Sequence, residues 1–239
     1  MFDKKLLERV LATAMKSGAD FAEIYAERTR NNSIRFVDGK IDRISDNFLS
    51  GVGIRAFRGT RTIYASTPDI TEAGLIACAR SVSDAMGEGS AEISIVLTPK
   101  SIVDAHSIKI NPASAETRVK GDILKSACFA AQEHDERIAQ VQGNLADVDH
   151  SIMVANSEGL FVEDRHVRTR IAVTAIASDG SENQSGFCAP GASLGLELFE
   201  RYDPREVGAH AAAQAITNLG AGYCKAGQII SGVGLGEDL

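Results

Sequence analysis

Asp38-Gly39 sits between two runs that alternate apolar and polar residues, Ser33-Ile34-Arg35-Phe36-Val37 and Lys40-Ile41-Asp42-Arg43-Ile44. An Asp-Gly pair tolerates the positive φ that a tight primed turn demands, so this is the strongest hairpin signal in the chain. It commits the region to antiparallel pairing. Upstream, Phe21, Glu23, Tyr25 and Glu27 face one way and Ala22, Ile24 and Ala26 the other, and Arg30-Asn31-Asn32 is expected to turn the chain. Downstream, residues 51–57 and 61–65 read as strands joined at Arg58-Gly59-Thr60. Thr67-Pro68-Asp69 then opens a helix over about 70–86, with Ile70, Leu75, Ile76, Ala79 and Val82 as its buried stripe. Ahead of the first strand, residues 2–16 carry Phe2, Leu6, Leu7, Val10, Leu11 and Ala14 on one helical face, stopped at Ser17-Gly18.

The last third repeats this outline. Residues 151–155 and 160–164 flank a turn at Asn156-Ser157-Glu158-Gly159, and residues 167–177 alternate as a longer strand. Asp179-Gly180 is a second hairpin-type turn, onto which Gln184 to Phe187 pairs back. After a Gly-rich loop (190–195), Asp203-Pro204 starts an Ala-rich helix over 204–219. Between the two outlines lie a short strand at Ile93 to Leu97, a connection over 98–114 and a helix over 115–133 with Val119, Ile123, Leu124, Ala127 and Cys128 inward. An antiparallel meander followed by a helix thus occurs twice, which predicts an α+β fold rather than a doubly wound one. The expected divisions are 1–90 for the first unit, 91–143 for the connection and 144–239 for the second unit. Residues 225–233 read as the start of a strand with the sequence ending soon after, so the second unit is expected to be truncated.

Charge and motifs then exclude several chemistries. Lys plus Arg number 25 against 32 Asp plus Glu, a net charge of −7, which is not the footprint of a nucleic-acid binder. No apolar run approaches the roughly 20 residues of a membrane span, and the four cysteines are scattered without a CxxC pair. A reduced cytoplasmic protein is expected. None of the five histidines has a partner at i, i+4, and HExxH is absent. Glu133-His134-Asp135-Glu136 and the group Asp147, Asp149, His150 are the densest ligand-type clusters, and solvated charge explains both. GxSxG is missing; Cys188 and Cys224 lack a neighbouring histidine. The run Gly232-Val233-Gly234-Leu235-Gly236 has no helix after it to hold a phosphate.

Several phrases, in order, resemble one family, the TldD/PmbA proteins or modulators of DNA gyrase, which comprise zinc metallopeptidases and metal-free paralogues. They are Gly18-Ala19-Asp20-Phe21-Ala22-Glu23-Ile24-Tyr25, Val37-Asp38-Gly39-Lys40-Ile41-Asp42 and Gly51-Val52-Gly53-Ile54-Arg55-Ala56-Phe57, with Gly59 and Tyr64-Ala65-Ser66-Thr67. Later come Ala155-Asn156-Ser157-Glu158-Gly159 with Glu163-Asp164, then Gln184-Ser185-Gly186, Ala215-Ile216-Thr217-Asn218-Leu219 and Tyr223-Cys224-Lys225-Ala226-Gly227, with Lys225 where proline is usual. The resemblance implies an N-terminal half of such a protein, a homodimer or a heterodimer with a paralogue, and a short or unfolded peptide as substrate. Active members carry His-Glu-x-x-x-His on a helix after a strand and Gly-rich turn. Here Glu237-Asp238-Leu239 stands instead, so no catalytic residue, metal ligand or cofactor is carried over, zinc belonging to the full-length active relatives. Two readings remain open: the non-metal half of a peptidase, inactive alone, or a non-catalytic assembly subunit. A third, an unrelated small-molecule enzyme, would need a polar pocket that the sequence does not announce. For a binding surface the candidates are Arg55 and Tyr64, on adjacent expected strands, and Glu163, just after the second unit's first turn. The plain alternative for each is a solvent-facing member of a cross-strand pair.

Overall fold

The computed structural model describes residues 2–91, 93–100, 107–222 and 227. Helix α1 (Lys4–Met15) starts at Asp3, whose carboxylate accepts the Leu6 N–H at 3.3 Å. Strands β1 (Phe21–Val37), β2 (Lys40–Arg58) and β3 (Arg61–Thr67) form an antiparallel meander that leads into α2 (Glu72–Met86). A short β4 (Thr98–Lys100) and α3 (Thr117–Gln132) follow. The second meander is β5 (Ile138–Asn156), β6 (Leu160–Ser178) and β7 (Asn183–Cys188), followed by the two-residue β8 (Gly191–Ala192), α4 (Leu198–Arg201) and α5 (Pro204–Leu219). The expected turn at Asp38-Gly39 is present, with φ of 48° and 81°. The fold is α+β, and the meander-plus-helix outline does occur twice.

Both meanders belong to one sheet, ordered β3-β2-β1-β5-β6-β4, with β7 and β8 also on β6. All pairings are antiparallel except β4 with β6. The seam is β1 against β5, from Glu23↔Asn156 to Val37↔Gln142. Because equivalent strands of the two units run antiparallel at that seam, their helices come to opposite ends of it. One apolar cluster sets α1 and α2 against Ala22, Ile24, Ala26, Ile54, Met153 and Ala155. The other sets α3 and α5 against Ile34, Phe36, Leu145, Ile171 and Val173. Residues 24, 26, 34 and 36 share one parity along β1, so both clusters lie on the same face of the sheet.

Between the clusters, that face turns polar. Lys120 of α3 is 3% exposed and donates from Nζ to Asn32 Oδ1 and Asp147 Oδ2, both at 2.8 Å. Arg30 grips Asp46 and Arg165 grips Asp149, each with a closest contact of 2.6 Å. This belt corrects two local expectations. The chain does not turn at Arg30-Asn31-Asn32, because β1 is paired on both sides there, and the Asn32 amide serves Lys120 rather than a turn. Lys120, not Val119, faces inward on α3: a stripe through Leu124, Ala127 and Ala131 extends back to 120 at helical spacing, leaving Val119 42% exposed.

Three further expectations change. Residues 93–97 form no strand; Leu97 is buried, yet its N–H goes to the Glu8 carboxylate at 2.9 Å instead of to a ladder, and pairing begins only at Thr98. On α2 the inward stripe runs Leu75, Cys78, Ala79, Val82, Met86, while Ile70 lies ahead of the helix and is exposed. The short strands proposed over 33–57 and 151–177 are segments of strands that run 17 to 19 residues without interruption. Cys224, Lys225 and the Gly232 to Gly236 run lie outside the described residues. Among the described residues, no helix is long and apolar enough to cross a membrane.

Candidate functional site on the uncovered face of the sheet

Side chains of the opposite parity project from the face that, among the described residues, carries no helix. On β1 and β5 these include Glu23, Tyr25, Glu27, Val148, His150, Ile152 and Val154. Arg55 and Tyr64 are directly opposite each other across β2 and β3, so the structure brings these two candidates together on this face. Arg55 is also opposite Glu23, which its guanidinium grips, and it lies 5.1 Å from the centroid of the Phe57 ring. Tyr64 is 63% exposed, and its ring lies over Gly53: a Cβ there would meet the phenol oxygen at 2.7 Å. Glu163 is not part of this group. It is opposite Met153, a wholly buried member of the first apolar cluster, and therefore belongs to the helix-bearing face.

Toward the middle of the uncovered face, Tyr25 donates to Glu27 at 3.1 Å, and Glu27 lies 3.5 Å from His150 Nε2. His150 is opposite His166, whose Nε2 is 2.9 Å from Asp164. Partial burial and the neighbouring Glu27 carboxylate hold the Tyr25 phenol above its ordinary pKa, which keeps it a hydrogen-bond donor. Further along β6, Arg168 and Arg170 border a trough walled by Ala146, Val148, Gly191 and Ser193. No motif announced this band. Its signal was parity alone, since alternating strands place every second polar residue together.

The groupings seen in sequence come apart. Asp147 and Asp149 point to the helix-bearing face and His150 to the other, so that cluster does not exist in space. Asp135 is held by Arg137 in a two-point contact. Burial raises the thiol pKa of Cys188, and pushes that of Cys128 up to about 12, which is wrong for a nucleophile. The uncovered face is thus equipped to bind and orient: it offers guanidiniums, a phenol donor, imidazoles and apolar side chains, and among its described residues no nucleophile is held by a base.

A sequence profile described as PmbA/TldA metallopeptidase domain 1 matches residues 22–85, and one described as the PmbA/TldA metallopeptidase central domain matches residues 109–219. The chain belongs to the PmbA/TldD family. It is 25% identical over 218 residues to a metalloprotease TldD homolog of Haemophilus influenzae, covering 87% of this chain and 45% of that one. It is 26% identical over 204 residues to a metalloprotease of Methanothermobacter thermautotrophicus, covering 84% and 44%. It therefore spans a little under half the length of these relatives. The same fold occurs in a candidate DNA gyrase modulator from Thermotoga maritima, with TM-score 0.75 and 23% identity over 93% of this chain and 50% of that one. TldE from Thermococcus kodakarensis shares it at TM-score 0.64 and 17% identity, over 88% and 47%.

Family resemblance brings zinc into question, and the donor sets answer for the described part. Among the described residues no group of three or more His, Cys, Asp or Glu side chains is placed to hold a metal ion. The uncovered face offers its imidazoles already committed in pairs with Glu27 and Asp164. These residues do not fit a zinc centre, and no chemical step is assigned to one here.

Proposed function

We propose that this chain is the peptide-holding portion of a PmbA/TldD metallopeptidase, acting in the cytoplasm on short or unfolded peptides and inactive as a peptidase alone. What carries this reading is the conjunction of two family metallopeptidase domains with a sheet that, among the described residues, has one face uncovered by helices. Relatives sharing this region are named metalloproteases, which supports the peptide as ligand class. Arg55 and Tyr64 serve as contact residues on that face. Purified chain should bind an unfolded peptide and leave it intact, with no stoichiometric zinc by elemental analysis. Chelator-sensitive hydrolysis that disappears when described residues are substituted would sink the proposal.

A second reading, a non-catalytic subunit pairing with a second copy or a paralogue, is favoured by one observation. Among the described residues, nothing pairs with the outer edge of β2 from Lys40 to Gly51, where Ile44, Phe48 and Leu49 are 55%, 62% and 59% exposed. An open edge with apolar side chains is a template for strand pairing. Light scattering on the parent and on Phe48→Lys decides it: a dimer lost in the variant supports assembly, and a monomeric parent that stays monomeric with the paralogue removes it.

A further inference from the structure

Arg168 and Arg170 are two positions apart on β6, so both point to the uncovered face with Cα atoms roughly 6.5 Å apart. Among the described residues neither is held by a carboxylate, whereas Arg30, Arg55, Arg137 and Arg165 each grip one. They line a trough of about 490 Å³ whose other side chains are small. On the β5 side Val148 is opposite Arg168 and Ala146 opposite Arg170. On the other side Gly191 is opposite Arg170.

The trough is built rather than incidental. A Cβ at residue 191 would stand 3.0 Å from both Cβ and Cγ of Arg170, so glycine lets the strap pack this closely on the arginine stem without displacing it. The strap is tied on both sides of that contact: the Ile171 N–H donates to Pro190 O at 3.1 Å, and the Thr169 hydroxyl donates to Leu194 O at 2.9 Å. Two guanidiniums are thereby left beside an apolar floor, in a chain with a net charge of −7.

We propose that this trough captures the C-terminal carboxylate of a short peptide, Arg168 and Arg170 bridging the two oxygens while Ala146 and Val148 receive the terminal apolar side chain. A carboxylate is planar and matches the guanidinium fork, and the hydrogen bonds between them are charge-assisted on both partners. A bare phosphate would satisfy the forks but leave the apolar floor uncovered. This site deepens the peptide-holding reading and rests on it.

The test is a titration of the full chain with N-acetylated Gly-Gly-Leu as the free acid and as its C-terminal amide, followed by NMR or calorimetry. The acid should bind about tenfold or more tightly than the amide, because only the acid brings a counter-charge to the two exposed guanidiniums. Arg168→Gln/Arg170→Gln should weaken the acid by a similar factor and leave the amide unchanged, while Arg80→Gln, an exposed arginine on α2, should change neither. The acid-amide comparison needs no variant, so misfolding cannot mimic the result. Equal binding of acid and amide overturns the carboxylate site and leaves the peptide reading standing. Binding of neither overturns both, and inorganic phosphate binding more tightly than the acid overturns the assignment to peptide.

Discussion

The two faces of this sheet are made from the same four long strands, yet they obey different rules. On the helix-bearing face, the alternate residues of β1, β5 and β6 are Ile, Phe, Leu, Met, Val and Ala, packed into two clusters. On the other face, the residues between them are mostly Arg, Glu, His, Tyr, Asn and Thr, with apolar residues such as Val148, Ile152 and Val154 on β5 and Val162 and Ile176 on β6. The first face sets stability and tolerates little. The second is largely free of that duty, so its charges are available for recognition. The polar belt through Lys120 is the exception that sharpens the contrast, being charged and yet buried on the structural side.

That belt gives the largest expected effect. Lys120→Ala leaves the Asp147 carboxylate and Asn32 without their shared donor in a site where Lys120 and Asp147 side chains are 4% and 6% exposed. Breaking a buried pair in this way should cost about 3–5 kcal/mol, read from urea denaturation. Joint replacement of Lys120, Asn32 and Asp147 by apolar residues should cost much less; if it costs more, the belt contributes net stability.

Next comes a pair on one strand. Leu145→Ala, in the second cluster, should lose about 2–5 kcal/mol, whereas Val148→Ala, on the uncovered face, should lose under about 1 kcal/mol. Similar losses for the two would end the distinction between the faces.

Glu197 supplies a smaller effect with a pH signature. It is 5% exposed and accepts N–H bonds from Gly195 and Lys109 on one oxygen and from Ile110 on the other, at 2.9, 3.2 and 2.9 Å. Burial alone would raise its pKa, but these backbone donors outweigh burial and hold it below the ordinary carboxyl value. With the folded value lower than the unfolded one, near about 4.3, its contribution is complete above that pH and is lost as pH falls through the folded value. Glu197→Gln should cost about 1–3 kcal/mol near neutrality, and the difference from the parent should close in acid, measured by thermal unfolding across pH.

The smallest effect is on the surface. Arg55→Ala and Tyr64→Ala should shift stability by no more than about 1 kcal/mol, because both side chains are exposed. A loss of peptide binding without a loss of stability is the outcome expected of contact residues.

Much of this was legible in the residues themselves. Asp38-Gly39 with its alternating flanks specified a hairpin and its register, and the order of phrases from Gly18 to Leu219 pointed to the family. That Arg55 and Tyr64 lie on adjacent strands also followed from the alternation, while their direct register came from the structure. What misled were residues whose local chemistry admits two uses. Asn31-Asn32 is a turn signal in an isolated peptide, but in a central strand the backbone is already paired and the amide is free to bind a lysine. Asp147, Asp149 and His150 are neighbours in sequence, and the pleat sends the third to the opposite face. Glu163 followed its strand to the wrong side for the same reason.

By itself, the sequence determined most of the strands and helices and the apolar parity of the long strands, because those depend on turn chemistry and on periods of 2 and 3.6 residues. It could not determine that the two meanders would share one sheet, that their helices would gather at opposite ends of a single face, or that Lys120 would be the cation buried between them. Those outcomes depend on which strand edges meet, and the β1–β5 seam joins residues more than a hundred positions apart. Contacts at that separation arise from burying apolar area and satisfying backbone groups across the whole molecule, which no local window of residues contains.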